Sequence, residues 1–241
     1  MRVTSGMPKL LVLFLSLVAT LLACLPEPAS PAPSAASTRP PTKWTPADLI
    51  PDTKLTPDTN FIHTEARYAG PDGQTVLLQN SLPKGGSSIE PGGEVGYTAP
   101  DGTHYRIGVF WTRAVNEGDT PLELSLDLSP QAYPVADSTA NFYRLFLPTD
   151  SMTLAKRAAF NYGIEGLRGF LDRHYDTGSR LHRTIPPGGE TLFYVVLLVR
   201  VPSNGPIRAG VFAGGRKLAY RVQIAPFAAR EVPLGTWSVG R

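Results

Sequence analysis

The sequence predicts a mainly β fold, an antiparallel two-layer sandwich with a short helical insertion, and three observations predict it. From Phe61 onward, short apolar runs are separated by turns rich in Gly and Pro. Leu122, Leu124, Leu126 and Leu128 alternate with Glu123, Ser125 and Asp127, so one face of that run suits a core and the other suits water. This pattern belongs to an antiparallel sheet better than to a doubly covered parallel one. Helical spacing appears only within residues 151–175.

Before the globular part, Arg2 and Lys9 precede an uninterrupted apolar and small-residue run at 10–22, closed by Leu21-Leu22-Ala23-Cys24. An aliphatic residue three before the cysteine and a small one directly before it resemble the lipobox of bacterial lipoproteins. That resemblance implies a signal peptide at residues 1–23, removed at Cys24, whose sulfur takes a diacylglyceryl thioether and whose freed amine is acylated. The run is too short to span a bilayer, which takes roughly 20 apolar residues. Two or three acyl chains make anchoring lasting where one chain binds only marginally. Leu25, not Asp, follows the anchor, which favours the outer membrane over inner-membrane retention. Residues 24–50, dominated by Pro, Ala, Ser and Thr, read as an extended tether with little to bury.

The sandwich domain is expected over residues 51–241. Residues 61–68 and 74–80 flank Gly70-Pro71-Asp72-Gly73 as a hairpin. A second such turn, Ala99-Pro100-Asp101-Gly102, leads into a strand where Tyr105, Ile107, Val109 and Trp111 share one face. After the turn at residues 116–119 comes the leucine strand, then another at 142–147. In the insertion, Leu154, Ala155, Ala158 and Ala159 fit one side of a helix, and Ile164, Leu167, Phe170 and Leu171 fit another after a break at Asn161-Tyr162-Gly163. Strands resume at 180–185 and at 190–201, the latter apolar on both faces as a central strand would be. A last hairpin joins 207–212 to 217–224, with Leu218, Tyr220, Val222 and Ile224 on one face. The tail after Pro226 shows weaker pattern. Ile89-Glu90-Pro91-Gly92-Gly93-Glu94 echoes Ile185-Pro186-Pro187-Gly188-Gly189-Glu190, and nothing around the pair repeats, so turn chemistry explains it better than duplication.

Eight to ten short strands with one helical excursion resemble the immunoglobulin class in architecture, without its Cys…Trp…Cys hallmark; a closed barrel is the alternative. Two groups of residues are similar to stretches of uncharacterised bacterial envelope lipoproteins. The first is residues 110–116 (FWTRAVN) with Pro121-Leu122-Glu123-Leu124. The second is Phe160-Asn161-Tyr162-Gly163 with Leu167 and Phe170-Leu171-Asp172. This resemblance covers about a quarter of the chain and brings no catalytic residue with it.

Charge and chemistry narrow the function classes. The formal charge is +3, from 23 basic and 20 acidic residues; without Arg2 and Lys9 the balance is 21 against 20. No basic block remains, so a nucleic-acid partner is not expected. Cys24 is the sole cysteine, which leaves no disulfide and no thiolate metal site. The four histidines, His63, His104, His174 and His182, show no metal-ligand spacing, and neither metal nor cofactor is expected. His63 and Glu65 are spaced to share one face of a strand. The Ser-x-x-Lys at 81–84 lies in a turn and not at a helix start, where that motif works.

Trp111, Tyr143, Tyr162 and Tyr175 are the aromatic candidates for recognising a sugar or peptide. Trp111 falls on a core face, so Tyr162 and Tyr175, bracketing the second helix, are the expected interaction surface. These readings imply a non-enzymatic module of the bacterial envelope, held to the membrane by lipid and contacting an envelope protein or glycan. The alternatives are a hydrolase acting on carbohydrate or peptide, with carboxylates that sequence alone does not pair, and a small-molecule binding module.

Overall fold

Alternating strands must bury their apolar faces against something, and the computed structural model shows two separate partners for them. It describes residues 61–70, 72–85, 88–136, 138–201 and 205–240. The lipobox residues Leu21, Leu22 and Ala23, the lipidation site Cys24 and the tether at 24–50 lie outside the described residues.

In chain order the strands are β1 (Ile62–Ala69), β2 (Thr75–Ser81), β3 (Lys84–Gly85), β4 (Tyr97–Thr98), β5 (His104–Asn116), β6 (Leu122–Leu128), β7 (Tyr133–Val135) and β8 (Ser138–Phe146). The helix α1 (Leu167–His174) follows. Then come β9 (Ser179–Ile185), β10 (Glu190–Arg200), β11 (Ile207–Gly214), β12 (Lys217–Ile224) and β13 (Arg230–Val239). One sheet runs β1-β2-β5-β10-β8-β7, with β3 and β4 also pairing with β5; the other runs β11-β12-β13-β6-β9. Every ladder is antiparallel. The sandwich expected from the sequence is therefore the fold.

The inner core lies between the sheets. Leu122, Leu124, Leu126 and Leu128 enter it from β6, Phe193, Val195, Leu197 and Val199 from β10, and Leu218, Tyr220, Val222 and Ile224 from β12. The hydroxyl of Tyr220 has no hydrogen-bond partner among the described residues, although the side chain is fully buried. A buried hydroxyl without a partner is unfavourable, so Tyr220→Phe is expected to stabilise the protein by about 1 kcal/mol. The check is a higher urea midpoint with an unchanged slope.

A second core covers the outer face of the larger sheet. Tyr105, Ile107, Val109 and Trp111 of β5 and Tyr194, Val196 and Leu198 of β10 meet Tyr162, Leu167, Phe170, Leu171 and Tyr175 there. This is why β10 is apolar on both faces: the insertion adds a layer behind the sheet.

Within the insertion, α1 buries Leu167, Phe170 and Leu171, the face the spacing predicts. The expected first helix is corrected. Leu154–Ala158 is a 3-10 turn with none of its residues buried, because its alanines offer too little surface to drive docking. Phe160–Gly163 is a second such turn, in which Asn161 and Tyr162 hold left-handed φ values of 45° and 57°. Left-handed backbone costs a non-glycine residue on the order of 1–2 kcal/mol. It is held here by specific bonds: Asn161 Nδ2 donates to the Ser88 and Ile89 carbonyls at 3.1 Å each. The Tyr162 hydroxyl donates to the Leu82 carbonyl at 2.6 Å, and Tyr194 donates to the Tyr162 carbonyl at 2.8 Å.

The tail contains a strand that the sequence pattern does not signal. β13 lies mid-sheet between β12 and β6 and buries Val232, Leu234 and Trp237. Its register against β12 shifts between Leu218 and Ala219, so its inward positions change parity between Leu234 and Trp237. Pro233 and Gly235 sit at that irregularity, where strand interiors tolerate them. The turn echo also has a physical basis: the Gly93 amide bonds the Glu90 carbonyl at 3.0 Å, and Gly189 bonds Pro186 likewise at 2.9 Å.

Buried polar side chains tie the layers at their corners. Asn80 bridges β2 to β11, its Oδ1 accepting the Val211 amide at 2.8 Å and its Nδ2 donating to the Val211 carbonyl at 3.0 Å. Thr112 donates to the same Oδ1 at 2.8 Å, and Nδ2 also donates to Thr64 Oγ1 at 3.0 Å. Asn116 donates to the Thr120 and Ile185 carbonyls, and Ser179 Oγ accepts the Leu147 amide at 2.7 Å.

Candidate ligand-binding groove

The expected aromatic surface is not at the surface. Tyr162 and Tyr175 are 1% and 2% exposed, and Trp111 and Tyr143 are equally buried. Tyr162 and Tyr175 bracket α1 in sequence, but their rings turn inward because the insertion folds back on the outer face of the sheet. Tyr162 packs edge-on against Trp111, with ring centroids 6.3 Å apart. Tyr175 has the Arg144 guanidinium 4.0 Å from its ring. The Tyr175 hydroxyl lies 2.7 Å from that of Tyr105 and donates to Asp101 at 2.8 Å. Burial, together with these two partners, pushes the Tyr175 hydroxyl far above its ordinary range. Both tyrosines are therefore packed within the second core.

The remaining sequence candidates are held in internal bonds. Ser81 Oγ accepts the Trp111 amide at 2.9 Å in a fully buried position, while Lys84 Nζ donates to the carbonyls of Arg157 at 2.5 Å and Ala159 at 2.9 Å. Lys84 also lies over the Phe61 and Tyr162 rings, and burial lowers its pKa. Lys84 thus straps β3 to the insertion, while Ser81, at the end of β2, serves β5.

Asp172 accepts the Tyr97 hydroxyl at 2.9 Å, whereas His174 Nδ1 lies 2.9 Å from the Gly178 carbonyl. His104 meets Thr98, and His182 meets Ser125 and Glu123. The Thr103 amide, with the Tyr175 hydroxyl, holds the Asp101 carboxyl below its ordinary range, the reverse of what a general acid needs. Among the described residues no three His, Cys, Asp or Glu side chains gather as a metal site would require.

A groove of about 180 Å3 opens instead between β1 and the β11–β12 hairpin. His63 and Thr64 line it from β1, Arg208, Ala209 and Phe212 from β11, and Arg221 and Gln223 from β12. The register of β1 shifts between Ile62 and Thr64, which turns His63 toward Arg208. Glu65 instead takes a hydrogen bond from Gln79 on the other face, so His63 and Glu65 do not share the face that their spacing suggests. Arg208 stands opposite Gln223 in the hairpin, and Phe212 follows on the same face of β11. Between them Gly210 has no room for a side chain, since a Cβ there would meet Asn80 Cγ at 2.6 Å. The Asn80 tie thus fixes how closely β11 approaches β2 and so sets one wall of the groove.

Arg221 is ion-paired with Glu231 at 2.7 Å, and its guanidinium lies 4.5 Å from the Phe212 ring. Arg208 Nη1 donates to the Ile207 carbonyl at 2.9 Å, and among the described residues no carboxylate pairs with it. Burial against these walls, and then the Arg208 charge, lower the His63 pKa from its ordinary value of 6.5. The groove is a basic, half-apolar recess built by residues about 145 positions apart in the chain. No protein-family model matches this chain, and no curated protein matches it. Among the described residues no helix is long and apolar enough to cross a membrane.

Proposed function

We propose that this chain is a lipid-anchored module of the bacterial envelope: acylated at Cys24, tethered by residues 24–50, and ending in a non-catalytic β-sandwich that binds a ligand or partner. The observation that carries the reading is Leu21-Leu22-Ala23-Cys24 at the close of an apolar run, with the sole cysteine where acylation requires a thiol. A binding role accords with a domain in which Tyr162 and Tyr175 are spent on internal bonds and a basic recess joins charge to an aromatic wall.

Mass spectrometry of protein purified from a bacterial envelope tests it. The expected N-terminus is Cys24 carrying a diacylglyceryl group, with residues 1–23 absent, and Cys24→Ala is expected to accumulate unprocessed. A bare thiol at Cys24, or residues 1–23 still attached, overturns the reading.

A further inference from the structure

We propose that the groove between β1 and the β11–β12 hairpin binds a small organic carboxylate bearing a compact apolar group. This rests on reading the sandwich as a binding module and names the ligand class of its site. Charge counting selects a monoanion. Arg221 is balanced by Glu231, and His63 stays neutral at pH 7, since burial and Arg208 hold its pKa down. Arg208 is then the one wall cation among the described residues without a carboxylate, and its guanidinium matches a carboxylate in a bidentate fork.

A dianion such as sulfate would find only half its charge compensated. The rest of the lining selects the rest of the molecule. Phe212, held under Arg221, and Ala209 offer apolar surface, while Gln223 and Thr64 add neutral polar groups at the sides. A cavity of about 180 Å3 is close to the roughly 150 Å3 that admits a benzene-sized guest, so a branched group of five or six carbons fits.

The test uses the full chain at pH 7, titrated with 4-methylpentanoate, its neutral amide and sulfate, and follows the His63 imidazole resonance, identified by its loss in His63→Gln. The carboxylate is expected to shift that resonance saturably. The amide and sulfate are expected to bind at least about tenfold more weakly, because the amide lacks the charge and sulfate carries one charge too many. Arg208→Gln, at a partly exposed site, is expected to keep the melting temperature and weaken the carboxylate about tenfold.

No saturable shift, equal binding of amide or sulfate, or indifference to Arg208→Gln overturns the proposal. The same titration of Cys24→Ala is expected to give the same affinity, and a different one overturns the assignment to this groove. Failure of the groove leaves the Cys24 mass measurement untouched, and failure of acylation leaves the titration untouched.

Discussion

Replacing Asn80 by alanine is expected to destabilise the domain by roughly 3–5 kcal/mol, with a large drop in the urea midpoint at an unchanged slope. The side-chain amide has two donor hydrogens and an oxygen with two lone pairs, and all four are used: Thr64 Oγ1, the Val211 carbonyl, the Val211 amide and the Thr112 hydroxyl. Two of the partners are the amide and carbonyl of one edge-strand residue, so Asn80 does for β11 what a neighbouring strand would do. Alanine leaves both groups without partners at a site where Asn80 is only 3% exposed. Each such group costs about 1–3 kcal/mol. Asn80→Asp keeps the shape and loses both donors, while burying a charge against the Val211 carbonyl, and is expected to be at least as damaging. A cost below about 1 kcal/mol for Asn80→Ala would mean that water serves Val211 equally well and that the corner is not held by this amide.

What the sequence made legible follows from where each residue's environment is decided. The leucines of β6 alternate because one sheet face meets the core and the other meets water, so the strand at Leu122–Leu128 appears with the bounds the pattern suggests. β10 shows itself as central because both of its faces are covered. Asn80 gave no signal: at the end of an apolar run, an asparagine reads as a strand terminus, and its four partners come from three other strands.

Tyr162 and Tyr175 looked like surface residues because the core they fill exists only once the insertion folds behind the sheet. The groove was invisible for a related reason. His63, Arg208 and Arg221 carry no shared spacing, and only the bulge at the start of β1 brings the first toward the second. The tail after Pro226 hid a central strand because Pro233 and Gly235 interrupt the alternation and the bulge changes its phase, which is also what makes Gly235 sensitive to substitution.

Gly235→Ala is expected to cost more than about 3 kcal/mol and to weaken the near-ultraviolet circular dichroism that the buried Trp237 contributes. Gly235 pairs with Leu218 on one side and Leu126 on the other, at the bulge where β13 places Leu234 as an extra residue against β12. Its φ of 153° lies where a side chain is rarely accommodated, and a Cβ would stand 2.0 Å from the Ser125 carbonyl oxygen and 2.9 Å from Leu126 Cα. Both are backbone atoms of a strand paired on its other edge with β9, so neither can swing aside as a side-chain tip would. Relief requires β13 to move off β6, which draws Trp237 from its place in the inner core and breaks the bond from its Nε1 to the Gly215 carbonyl, 2.8 Å long. Gly214→Ala provides the comparison, since nothing lies within 4 Å of a Cβ there, and it is expected to change stability by about 0.5 kcal/mol or less. Equal costs for the two substitutions would mean that β13 and β6 slide freely past one another, and the bulge would then not be what sets their register.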